Sequence, residues 1–234
     1  MPFSTIAQRL AETRARIATA ATRAGRPPSD VCLVAVSKNF PLDAVRAAFD
    51  AGQRDFGENR VQEALQKIAA ATDMNIRWHL IGHLQSNKAR KAAENFTALH
   101  AIDSVDLLRR LDQAAANAGR RPSVLVQVDL ALEPTKHGAT VTDVPSIFAE
   151  AKKCRATEVV GLMLLPPFVE NPEEARPWFR RLRDVRNRLV DDGVPPALVR
   201  ELSMGMSHDF EVAIEEGATM VRVGTAIFGE RVAV

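Results

Sequence analysis

In LVAVSKNFP, residues 33–41, an apolar run of strand type ends on Ser37 and Lys38, just before a proline that suits the start of a helix. A lysine at the end of a strand is ordinarily solvated and protonated. At the mouth of a barrel, partial desolvation and a nearby guanidinium such as that of Arg222 would lower its pKa and free the amine as a nucleophile. Such an amine forms Schiff bases with aldehydes.

Two further stretches bear on anion binding. In SMGMSHDFEVAIEEG, residues 203–217, a glycine-containing turn runs into a helix whose expected N-cap is Ser207. In MVRVGTAIFGER, residues 220–231, a strand ends at Gly224 and Thr225 before a second, short helical start. Backbone N–H groups at helix starts, a glycine permitting close approach and Ser/Thr hydroxyls together make a phosphate cradle. Taken singly, Ser207 need only cap a helix and Gly224 need only permit a turn, so both readings stay open. A cradle beside a Schiff-base lysine suggests a phosphorylated aldehyde, either pyridoxal phosphate or a sugar phosphate.

The elements that must position these groups follow an alternating pattern. Strands are expected at 31–37, 54–57, 77–82, 97–102, 124–130, 158–165, 200–204 and 220–224. Helices are expected near 42–51, 58–71, 85–95, 104–118, 142–153, 172–191 and 208–216. Pro41 fits a first helical position and Gly52 a C-terminal cap, while Ser104 and Asp106 open a helix that Gly119 follows. Strands alternating with helices at this spacing imply parallel pairing, and eight such units predict one closed (β/α)8 barrel of the TIM type spanning 1–234. An amphipathic stretch over 1–25, with Ile6, Leu10 and Ile17 on one face, predicts an added N-terminal helix packed on the barrel rather than a transit peptide. Function in such a barrel gathers at the carboxyl ends of the strands, where Lys38, Asn59, His83, Asp103, Pro166, Ser207, Gly224 and Thr225 fall.

Composition excludes several classes. A net charge of +2 with two tryptophans and no tyrosine argues against a large nucleic-acid footprint. No apolar run approaches the roughly 20 residues of a membrane span. Cys32 and Cys154, far apart and without CxxC spacing, read as free thiols of a reducing, cytoplasmic compartment.

The segments AVSKNFP (35–41), FGENRVQE (56–63), WHLIGHLQSNK (78–88), GLMLLPP (161–167), LSMGMSHDFEVAI (202–214) and GATMVRVGTAIFGER (217–231) closely resemble the pyridoxal phosphate homeostasis proteins. These are alanine-racemase-like proteins consisting of the barrel alone, and the resemblance covers nearly the whole chain. It implies that Lys38 holds pyridoxal 5'-phosphate as an internal aldimine. It also implies that Ser207, Gly224 and Thr225 bind the phosphate, that Arg222 faces the pyridine nitrogen and that Asn59 lies beside the cofactor. Lys136, in PTKHG, matches another lysine common in the family, a candidate to receive or pass on cofactor, and a solvated loop lysine accounts for it equally well. Two departures, His208 where many relatives carry an acidic residue and Ala139 where an aliphatic one is frequent, are expected to leave the cradle untouched.

An arginine is effectively always protonated, so Arg222 against the ring nitrogen would leave that nitrogen unprotonated and the ring a weak electron sink. Racemases of the related fold add a tyrosine from a separate β domain of the partner subunit. This sequence has no tyrosine and ends soon after the eighth strand, so a carrier and reservoir of cofactor serving pyridoxal-dependent apoenzymes is expected rather than an enzyme. An amino-acid racemase or lyase and a phosphosugar aldolase are the alternatives, and a monomer or weak dimer is expected.

Other constellations read as structural. His79 and His83 lie on one strand and its end, more than about 12 Å apart at a rise of about 3.3 Å per residue, so joint metal ligation is not expected. Asp129 reads as a hydrogen-bonded residue within an apolar strand. RRLRDVRNR (180–188) reads as a solvated helix face.

Overall fold

The computed structural model describes residues 4–131 and 137–230. Eight parallel strands, β1 (Cys32–Val36), β2 (Asp55–Glu58), β3 (Arg77–Leu80), β4 (Ala98–Ile102), β5 (Ser123–Gln127), β6 (Glu158–Met163), β7 (Glu201–Met206) and β8 (Met220–Val223), close into a barrel in chain order. Closure runs through β8 and β1, with Val34 opposite Arg222. A helix follows each strand: α2 (Leu42–Asp50), α3 (Val61–Ala70), α4 (Ala89–Asn95), α5 (Val105–Asn117), α6 (Val144–Ala151), α7 (Arg176–Asp191), α8 (Phe210–Glu215) and α9 (Thr225–Phe228).

Side-chain alternation explains how one sequence builds two cores. Successive residues of a strand face opposite sides, and one set, including Leu33, Ala35, Phe56, Trp78, Leu80, Val124 and Val221, packs in a continuous core with the helices. Leu125, Val160 and Met163 form a separate cluster in the barrel interior. The rest of the inward set is largely polar, which bears directly on the site below.

The expected N-terminal helix is α1 (Ser4–Arg23), which buries Ile6, Leu10 and Ile17 together with Ala20 and Ala21. It packs on α8, α9 and α2, and Arg16 forks onto Glu211 at 2.8 and 2.9 Å. In α7 the apolar stripe Phe179, Leu182, Val185 and Leu189 is buried. Arg180 and Arg183 of that helix are not merely solvated, since both reach the buried Glu216, at 3.0 Å each.

Among the boundaries that differ from the sequence reading, three bear on the site. Pro41 is the N-cap of α2 rather than its first residue, because its carbonyl already accepts from the amides of Ala44 and Val45. β5 stops at Gln127, so Asp129 lies beyond the strand, where its carboxylate accepts from the Ala131 amide at 3.1 Å. α8 begins at Phe210, two residues later than expected, and Ser207 is not its cap.

Candidate functional site

The segment carrying Lys38 is held by the buried Glu58 and the partly buried Lys67. The turn Ser37–Phe40 is closed by the Phe40 amide on the Ser37 carbonyl, 3.0 Å, and Asn39 takes φ +65°. Asparagine tolerates that left-handed conformation better than most residues, which suits the third position of a tight turn. The Ser37 hydroxyl donates to Glu58 Oε1 at 2.6 Å, and Lys67 Nζ donates both to Glu58 Oε1 and to the Ser37 carbonyl, 2.7 Å each. The serine at the end of β1 is therefore a buttress for the half-buried Lys38 beside it.

Ser207 works across the fold rather than along the chain. Its Oγ accepts from the amide of Gly224 at 3.0 Å and from that of Ala226 at 3.4 Å, so it caps α9 from the β7 loop. Its neighbour Asp209 accepts from the Met206 amide at 2.6 Å. Gly205, at φ +92°, makes this tight bend possible, since a Cβ there would meet that of Ala213 at 2.6 Å. The two terminal loops are thus tied to each other through the Ser207 hydroxyl.

Lys38, Asn59, Ser207, Arg222, Gly224 and Thr225 all line a single cavity of about 470 Å³ at the carboxyl ends of the strands. That size is ordinary for a small-molecule site. Val36, Phe40, Ile81 and Leu165 supply apolar wall, and Phe168, 84 % exposed, stands at the rim. Asn59 is set by the approach of β3, because the Gly82 position would place a Cβ 2.2 Å from the Asn59 carbonyl oxygen. His208 also lines the cavity, its Nε2 2.8 Å from the Glu170 carbonyl. This departure thus falls on the cavity wall, whereas Ala139 is buried away from the cavity lining. Lys136 lies outside the described residues.

Arg222 is buried at one wall, where Nη1 donates to Ser203 Oγ at 2.6 Å and Nη2 to the Leu164 carbonyl at 2.8 Å. Burial pulls its guanidinium down to about 10, opposed by the charge of Asp209. Behind Ser203 stand His100 and His79, both buried. Burial, with the charge of Arg222 acting in the same direction, holds the His100 imidazole well below its ordinary range, so it is neutral. His79 and His83 diverge, as expected: His79 enters the barrel interior and His83 sits at the mouth. There the rings of His83 and His137 stack at 3.7 Å and 13°, with Asp103 3.5 Å from His83. These three residues bring possible metal-ligand atoms within 4.8 Å of one another. Stacked, nearly parallel rings present their lone pairs side by side rather than converging on one ion.

At the opposite end of the barrel, burial pushes the Asp55 carboxyl up, but hydrogen bonds from His79 and Arg77 outweigh it and hold the group down to about 2. The ordinary value is 3.8, so the folded pKa is depressed and the carboxylate stabilises the fold above about pH 4. That contribution is lost as pH falls from about 4 to about 2. Thermal unfolding followed through this window is expected to show a descending limb that is shallower in Asp55→Asn.

Sequence reading did not single out Ser37, Glu58 and Lys67, nor Asp55, His79, His100 and Ser203 as a connected set. Glu58 stands inside the FGEN motif and His79 inside WHLIGH, so the available signal was a charged or titratable residue in a strand with apolar neighbours.

Residues 9–232 match the family described as alanine racemase, N-terminal domain. The pyridoxal phosphate homeostasis protein of Pseudomonas aeruginosa is 44% identical over 98% of this chain and 97% of its own length. That of Aquifex aeolicus is 40% identical over 96% and 97% respectively. Among solved structures, PipY of Synechococcus elongatus with PLP bound superposes with a TM-score of 0.84 at 43% identity, covering 96% of this chain and all of that one (100%). Alanine racemase of Corynebacterium glutamicum, 18% identical with a TM-score of 0.72 over 98% of this chain and 62% of its own, shares the fold. By its matched length and by its identity to full-length relatives, the chain belongs to the alanine racemase N-terminal domain family, within its branch of pyridoxal phosphate homeostasis proteins.

Proposed function

We propose that this chain binds pyridoxal 5'-phosphate covalently through Lys38 and serves pyridoxal phosphate homeostasis as a cofactor carrier and reservoir rather than as an enzyme. One observation carries the reading: a single cavity is lined both by Lys38 and by Ser207, Gly224 and Thr225 of the last two loops. The cofactor supplies an aldehyde at one end and a phosphate at the other. Lys38 would hold the aldehyde end through its amine, with loss of one water as the C=N bond forms. Ser207, Gly224 and Thr225 hold the phosphate, Arg222 faces the ring and Asn59 borders it. Anion, amine and flat apolar wall meet in one space, so the residues fit the group. The names of the Pseudomonas and Aquifex relatives and the bound PLP in PipY support the assignment.

Without a tyrosine the chain lacks the second acid/base residue expected of a racemase, and a guanidinium at the ring leaves little electron sink. We read the protein as one barrel domain with its N-terminal helix, cytoplasmic, a monomer or weak dimer, handing cofactor to pyridoxal-dependent apoenzymes. Lys136 is kept as a candidate way-station. The test is to purify the protein, record its visible spectrum, reduce with borohydride and map the labelled peptide by mass spectrometry. A pyridoxyl adduct on Lys38 is the expected result; an unlabelled protein after incubation with pyridoxal phosphate overturns it.

A further inference from the structure

A line of polar groups crosses the barrel interior from the cavity to the amino end of β2. Arg222 Nη1 meets Ser203 Oγ at 2.6 Å, and Ser203 Oγ meets His100 Nδ1 at 2.9 Å. His100 Nε2 meets His79 Nδ1 at 2.9 Å, and His79 Nε2 meets Asp55 Oδ1 at 3.0 Å. Exposures along it are 3, 0, 0, 4 and 8 %, so water does not compete for these bonds. Only Arg222 among the five lines the cavity.

The donors have one consistent direction. Guanidinium is donor only, so Ser203 Oγ accepts from Arg222 and its own proton is free to go to His100 Nδ1. The neutral His100 then carries its proton on Nε2 and donates to His79 Nδ1. His79 in turn donates from Nε2 to the Asp55 carboxylate. Every member is satisfied with both imidazoles neutral, and bonds aligned in this way polarise one another.

We propose that Ser203, His100, His79 and Asp55 are positioning residues for Arg222: a one-way hydrogen-bond chain fixes its guanidinium at the cavity wall and links its charge to a carboxylate at the far end of the barrel. This rests on the pyridoxal phosphate reading above. A buried guanidinium is costly unless compensated, and besides Asp209 this chain supplies the compensation. The other groups that face the chain are few. Arg77 forks onto Asp55, and Cys32, a thiol that burial pushes up to about 12, lies beside it with Glu201 nearby. Holding Arg222 from behind on Nη1 and Nη2 sets which part of the guanidinium meets the ring, and so the environment of the bound cofactor.

The first test needs no cofactor. In nitrogen-15-labelled protein freed of pyridoxal phosphate, His79 and His100 are expected to be neutral at pH 7.5 with the proton on Nε2; a proton on Nδ1 of either ring overturns the chain. The second uses cofactor titration. Ser203→Ala is expected to weaken pyridoxal phosphate binding about tenfold, and Ser203→Thr, which keeps the hydroxyl, to restore most of it. Asp55→Asn preserves an acceptor but removes the charge, and is expected to move the pH midpoint of the loaded protein's visible band acidward by about half a unit. Arg77→Gln, which removes only the outer ion pair, is expected to leave that midpoint in place. Lowered thermal stability with unchanged affinity and midpoint in Ser203→Ala and Asp55→Asn would reduce the chain to packing and overturn the proposal. Should Lys38 carry no adduct, the functional reading falls, while the tautomers still decide the chain.

Discussion

Lys38→Ala protein is expected to purify colourless and to carry no pyridoxyl group after borohydride reduction. The expected effect is large because the C=N bond is the only covalent hold proposed. The proposed cradle of Ser207, Gly224 and Thr225 is left intact by the substitution, so residual binding through the phosphate is expected. Without the covalent step, affinity is expected to fall by roughly 10² or more, equivalent to about 3 kcal/mol. Equilibrium dialysis against pyridoxal phosphate gives the loss, and mass spectrometry gives the adduct. An adduct of unchanged yield on a different lysine would sink the assignment of Lys38 and shift attention to other amines, Lys136 first.

The second large effect concerns stability and lies behind the site. Glu58 is fully buried, and its Oε1 is held by Lys67 and Ser37 at 2.7 and 2.6 Å. Its Oε2 has no hydrogen-bond partner among the described residues. Lys67→Met removes the countercharge and leaves a carboxylate in the interior with one hydroxyl for company. Breaking a buried pair in this one-sided way costs about 3–5 kcal/mol, a large share of the 5–15 kcal/mol typical of a domain. Replacing both partners, Lys67→Met with Glu58→Leu, is expected to cost less than Lys67→Met alone, since no charge is then stranded. Urea unfolding followed by circular dichroism measures both variants. A loss under about 1 kcal/mol in Lys67→Met would show the pair to be solvated in practice. The Ser37 carbonyl also loses its Lys67 donor, so weaker cofactor binding is expected to accompany the loss of stability.

The eight strands were legible because β-branched runs and punctuation are local signals, and each run lies where a strand forms. Ser207 shows where locality fails. A serine just before a helical pattern reads as the cap of that helix, yet its oxygen serves Gly224 and Ala226, 17 and 19 residues on. His79 shows a second limit: alternation along RWHL tells which side of the strand the ring takes but not what waits there. Its partners come from β2 and β4, so strand stagger decides the contact. His208 shows a third, since its approach to the cavity depends on how the β7 loop bends at Gly205.

Residue order alone determined the alternation of strand and helix, hence the parallel barrel, and the end of the barrel at which Lys38, Gly224 and Thr225 must emerge, because both follow from periodicity and chain direction. Tertiary structure alone decided that Ser207 caps a neighbour's helix, that Lys67 and Glu58 meet under Ser37, and that five buried groups align from Arg222 to Asp55. The first and last of these join inward or loop positions of different strands, which only closure of the sheet at a particular stagger brings within hydrogen-bonding distance, whereas Lys67 reaches Glu58 because α3 packs back over β2.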